Sequence, residues 1–146
     1  MSEVTLVRRI AAHPATVFDA LTTPEGMATW WTPDGGPVLS TASDAKVGGR
    51  FRVRFRKLDG SEHECSGEFL EMEAPRRIVM SFQWILGGAP EERERMSRLE
   101  MHLRLIDTGT ELTLIHAGLL DEVSAADHRW GWGGALDQLT HRLAAA

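Results

Sequence analysis

Residues 48–60 read GGRFRVRFRKLDG. Phe51, Val53 and Phe55 alternate strictly with Arg50, Arg52, Arg54 and Arg56, the two-residue period of a strand with one apolar and one charged face. Asp59-Gly60 supplies the left-handed backbone of a tight hairpin. The returning strand, about residues 62–72, carries Glu62, Glu64 and Glu68. Basic residues on one strand and acidic ones on its neighbour predict cross-strand pairing on a solvated face rather than an anion site.

The same alternation recurs downstream. Ile78, Met80, Phe82 and Trp84 share one face. Leu99, Met101, Leu103 and Leu105 point inward while Glu100, His102 and Arg104 point outward, and Leu112 and Leu114 share a face with His116. Between these runs, GGAPEERE at 87–94 reads as an exposed hairpin loop. Upstream, Val4, Leu6 and Ile10, with Arg8 among them, mark a first strand. Pro14 suits a first helical turn, and Val17, Phe18 and Leu21 follow at helical spacing until Thr22-Thr23-Pro24 ends that helix. A second short helix is expected from Pro24 to about Trp31, carrying Met27, Trp30 and Trp31. Residues 32–46 form a long loop with room for one short strand.

From about 121 to 143 the period becomes helical: His128, Trp132, Leu136, Leu139 and Leu143 fall on one side. Gly131, Gly133 and Gly134 weaken such a helix by up to ~1 kcal/mol each relative to alanine. They mark a place where another backbone or a ligand comes close. Trp130 is expected to face away from Trp132, on the surface or an interface.

Composition narrows the function. The 146 residues fit one domain, spanning 1–146, and 16 basic against 21 acidic residues give a net charge of −5. That excludes a general nucleic-acid binder, which needs a basic face. Cys65, the only cysteine, allows neither an intrachain disulfide nor a thiolate-rich zinc site, and it reads as a small buried strand residue. No signal segment or membrane-length apolar run is present, so a cytoplasmic setting is expected. The six histidines show no HxH or HExxH spacing, and no metal or cofactor is expected. No Ser-His-Asp arrangement, phosphate loop or paired-carboxylate motif is legible.

Several blocks, in order, resemble a known family: RRIAAHPATVFDALTTPEGMATWW (8–31), GGRFRV (48–53), SGEFLEMEAPRRIVMSFQW (66–84), TELTLIHAGL (110–119) and HRWGWGGALDQL (128–139). They are similar to the bacterial branch of the START-like (helix-grip, Bet v 1-like, SRPBCC) superfamily, related to the C-terminal domain of the activator of the 90-kDa heat-shock protein ATPase. The resemblance spans nearly the whole chain, apart from the segment GGAPEERERMSR and the activator's separate N-terminal domain. It implies an α+β helix-grip fold, with a curved antiparallel sheet around a long C-terminal helix and two short helices after the first strand. The superfamily includes lipid carriers, polyketide cyclases, hormone receptors and co-chaperone domains, so fold alone does not fix activity.

The expected site is an apolar cavity between sheet and terminal helix, because one helix, ~10–12 Å across, is too narrow to fill a wide concave sheet. Its walls are expected from Phe51, Val53 and Phe55, from Met80, Phe82 and Trp84, and from Leu99, Met101 and Leu103. Leu112, Leu114, Trp132 and Leu136 complete them. Trp30, Trp31 and the 32–46 loop are expected to close its mouth, and His116, with Arg8, to supply polar contacts. The leading expectation is a binding domain for a small hydrophobic or amphipathic ligand. The alternatives are a cyclase- or dehydratase-like enzyme using His116 and carboxylates such as Glu68, and a co-chaperone-like surface in a stress response. A chaperone or a second copy of the chain would then be the partner.

Overall fold

The computed structural model describes residues 1–93 and 95–144. Its strands are β1 (Ser2–Ile10), β2 (Val38–Ser43), β3 (Arg50–Arg56), β4 (Glu62–Glu73), β5 (Arg77–Leu86), β6 (Ser97–Ile106) and β7 (Gly109–Leu119). The helices are α1 (Pro14–Thr22), α2 (Pro24–Met27) and α3 (Glu122–Ala144). The strands form one antiparallel sheet in the order β1-β7-β6-β5-β4-β3-β2, in which the first strand pairs with the last. This is the helix-grip arrangement. The short strand in the 32–46 loop is β2, and the second helix ends at Met27, before Trp30.

Local chemistry sets the punctuation. His13 Nδ1 accepts from Ala15 N at 3.1 Å and caps α1, with Pro14 in its first turn. Thr23 serves two helices: its backbone N–H closes α1 onto Asp19 O, and its Oγ1 caps α2 by accepting from Gly26 N. In β3, Phe51, Val53 and Phe55 are buried and the arginines lie outward. Arg54 pairs with Glu62 and Glu64, and Arg56 with Glu62, across the β3–β4 ladder. The two guanidiniums hold the Glu62 carboxyl below its usual range. Leu105 departs from its stripe: it is exposed near the end of β6, beyond Leu103.

The concave face is filled unevenly. Val17, Leu21, Met27 and Trp30 from the α1–α2 segment share one core cluster with Met80, Leu99, Met101 and Leu112 of the sheet and Leu136 and Leu139 of α3. The α1–α2 segment therefore does much of the covering assigned to α3 alone. α3 is held at its middle by a close backbone approach: a Cβ on Gly134 would lie 1.7 Å from Pro33 O. Gln138, on the same side, is half-buried and donates to Thr32 O at 2.9 Å, whereas Arg142 is exposed. Arg8 reaches α3 from β1, binding Asp137 at 2.8 Å and Gly133 O at 3.4 Å. It ties β1 to the helix and lines no cavity. Among the described residues no helix is long and apolar enough to cross a membrane.

Candidate functional site

A cavity of about 760 Å³ opens at one end of the concave face, between the β3–β4 hairpin, the outer half of β5, the 88–92 segment and the N-terminal half of α3. Trp31, Phe55, Phe82, Trp84, Trp132 and Ala135 give it an aromatic interior. The rings touch one another: Trp31 and Trp132 lie 5.4 Å apart edge to face, and Phe82 and Trp84 5.3 Å apart. Trp130 is 57% exposed yet forms part of the rim, with Lys57 Nζ 5.4 Å from its ring centroid.

The sixteen residues expected to line the cavity are all on the inner face, and the structure divides them. Trp31, Phe55, Phe82, Trp84 and Trp132 line it. Phe51, Val53, Met80, Leu99, Met101 and Leu103 lie in the solid core, as do Leu112, Leu114 and Leu136. Trp30 closes no mouth. It is fully buried, stacked on Trp31 at 5.0 Å, with its indole donating to Ala20 O. The α1–α2 segment fills the middle of the concavity and displaces the open volume toward the hairpin end.

His116 lies behind Trp132 rather than on the cavity wall. The Trp132 indole, which can only donate, gives its N–H to His116 Nδ1 at 3.0 Å. Nε2 therefore carries the ring proton and donates to Ser97 Oγ at 2.7 Å, which in turn donates to Phe82 O. Both ring nitrogens are occupied, leaving no free lone pair to take a proton from a ligand. Burial, with the neighbouring His128 second, pushes His116 well below the usual histidine range. Glu68 makes no contact with it; its backbone N–H bonds to Ser81.

A reciprocal pair sits beside this one. Trp84 of β5 donates to Nε2 of His128 on α3 at 3.0 Å, and His128 Nδ1–H donates to Ser124 O at 2.8 Å. Helix gives indole to sheet, and sheet gives indole to helix. At the hairpin, His63 stacks on Phe55 at 5.3 Å and accepts from Gly88 N at 3.3 Å. Burial, then Lys57, lowers its pKa.

The 87–94 segment is not simply an exposed hairpin loop. Pro90–Glu92 makes a short 3-10 turn, and Glu92 is buried. Its carboxylate accepts from Leu120 N at 2.8 Å and from the Ser124 hydroxyl, tying this segment to the start of α3. Glu94 lies outside the described residues. Cys65 is buried and its thiol is pushed up by desolvation, the state of an inert core cysteine.

Sequence reasoning missed Lys57, His63, His128 and Trp130 as lining residues, whereas Thr32 falls in the 32–46 loop expected to close the cavity. His63 had a legible signal, since it shares the inward parity of Cys65 and Phe69. His128 had one too, on the helix face with Trp132. Lys57 and Trp130 had none, because only the packing of α3 beside the β3–β4 hairpin brings them together. Thr32 is 4% exposed, lines the cavity, and its Oγ1 has no hydrogen-bond partner.

The family model of the Activator of Hsp90 ATPase homolog 1-like protein matches residues 11–144. No curated protein matches the chain significantly. Among solved structures, a protein from Chromobacterium violaceum is 24% identical with a TM-score of 0.84, covering 98% of each chain. An AHSA1 protein from Silicibacter pomeroyi is 22% identical with a TM-score of 0.84, covering 99% of each. An AHSA1-like protein from Aeromonas hydrophila, 21% identical, covers 99% of this chain and 93% of its own, with a TM-score of 0.78. These likenesses establish the shared fold.

Proposed function

For a chain that belongs to the Activator of Hsp90 ATPase homolog 1-like family, we propose the binding of a small amphipathic molecule in the cavity under α3. One observation carries the reading: an aromatic cavity of about 760 Å³. The volume lies within the ~300–1,000 Å³ of small-molecule sites. The reading draws on this site and not on the ATPase activation in the family's name. The saturated ring nitrogens of His116 and His128 favour binding over acid–base chemistry at those two side chains.

The test uses tryptophan emission, because Trp31, Trp84, Trp130 and Trp132 all border the cavity. A neutral apolar probe such as N-phenylnaphthylamine is expected to bind and quench it. Gly131 borders the cavity, and a Cβ there meets nothing closer than Pro33 Cβ at 3.9 Å. Gly131→Leu should therefore fill the mouth without a clash and abolish uptake. Gly133→Leu, directed at Arg8 instead, should leave uptake intact. A wild-type protein that takes up no probe, with no small molecule retained in native mass spectrometry, would refute the reading.

A further inference from the structure

The polar groups of the cavity define the charge of its occupant, an inference that rests on the binding reading above. Inside, most of the polar groups are already spoken for. His128 is held by Trp84 and Ser124, His63 by Gly88 and Ser61, and Glu92 by Leu120 and Ser124. Thr32 Oγ1, the buried polar side-chain atom without a partner among the described lining residues, is closed off from the cavity surface.

The mouth is different. Glu91, Asp121 and Asp127 are exposed carboxylates on its border, and among the described lining residues Lys57 is the one permanent cation. Lys57 is already placed over the Trp130 ring at 5.4 Å. Asp34 and Asp59 also act on the neighbouring His63, so the Lys57 corner carries nearby negative charge. Arg93 is turned away to Gly87 O. The field at the opening is therefore net negative over an aromatic interior, in a chain whose net charge is −5. Aromatic faces attract cations through their quadrupole, and the Lys57–Trp130 contact is that interaction made within the chain.

We propose that the cavity takes an organic cation: an apolar or aromatic body against Trp31, Phe55 and Trp84, and a protonated or quaternary amine at the carboxylate-bordered mouth. Aromatic walls and the charge at the mouth together set the ligand class.

The experiment is calorimetric titration of the full chain at neutral pH with phenylbutylamine, phenylbutanol and phenylbutanoate, which share one hydrocarbon body and differ in charge. The amine is expected to bind roughly tenfold tighter than the alcohol, and the carboxylate weakest. Raising the salt should shrink the amine's advantage, because exposed charges are screened. Glu91→Gln/Asp127→Asn, at two exposed side chains, should bring amine and alcohol to within about twofold while leaving the alcohol's affinity unchanged. Alcohol binding equal to or tighter than amine binding would overturn the cation assignment and leave the binding reading standing. A carboxylate that binds tightest, and is lost in Lys57→Gln, would assign an anion instead. If none of the three binds, both readings fall.

Discussion

Both ends of the concave face are apolar, yet one is solid and the other hollow. At the solid end, the leucines and methionines of β6 and β7 meet α1, α2 and the C-terminal half of α3. At the hollow end, Phe55, Phe82 and Trp84 face the N-terminal half of α3, the 31–33 stretch and the 88–92 segment. The contrast comes from supply. Two short helices and Trp30 cover one end, while the other has a single helix edge over large rings. Large rings packed edge to face hold one another upright without filling the volume between them.

The largest effect that would break this comparison is a truncation pair. Phe51→Ala opens a void in the solid end and is expected to cost ~3–5 kcal/mol. Phe55→Ala enlarges a cavity that solvent already reaches, so it should cost only about 2 kcal/mol, near the transfer term alone. Chemical denaturation of both variants measures this. Equal losses would mean that the hollow end is as tightly packed as the other.

Next comes the glycine run on α3. Gly134→Ala drives a Cβ into Pro33 O at 1.7 Å and should cost about 2–3 kcal/mol through the backbone shift it forces. Gly131→Ala, over the cavity, meets open space and should be neutral or gain up to ~1 kcal/mol in helix propensity. Thermal melts of the pair sharpen where contact ends and cavity begins.

The smallest effect is a pH dependence. His116 has a folded pKa well below the 6.5 of an ordinary histidine, so below that value the unfolded chain binds a proton that the folded chain refuses. The stabilisation is complete above pH 6.5 and is lost as pH falls toward the folded value, by at most ~1.4 kcal/mol per pH unit. His63 at the hollow end shifts in the same direction. Unfolding free energies measured from neutral to acidic pH should show the slope, and His116→Gln should flatten it. An unchanged slope in that variant would place the titration elsewhere.

Much of this was legible in the chain. The β3 stripe, the Asp59-Gly60 turn, the paired Arg54 and Glu62, and the α3 face through Trp132 and Leu136 all follow from local rules of period and charge. The family resemblance added the curved antiparallel sheet around the terminal helix. His63 and His128 could have been placed from parity and helix face alone. Trp30 could not, since its depth depends on how α1 and α2 pack back onto the sheet.

By itself, then, the sequence determined which face of β3 to β7 and of α3 is inward over most of their length, because side-chain period is a local property of the backbone. Only the tertiary structure decided where the inward faces fail to meet. Thr32, Lys57, Trp84 and Trp130 border one opening although they are remote in sequence. Glu92, within a polar loop, is buried because Leu120 N and the Ser124 hydroxyl happen to face it. Cavity position depends on the difference between the volume a sheet encloses and the volume its covering elements supply. No local pattern encodes that difference.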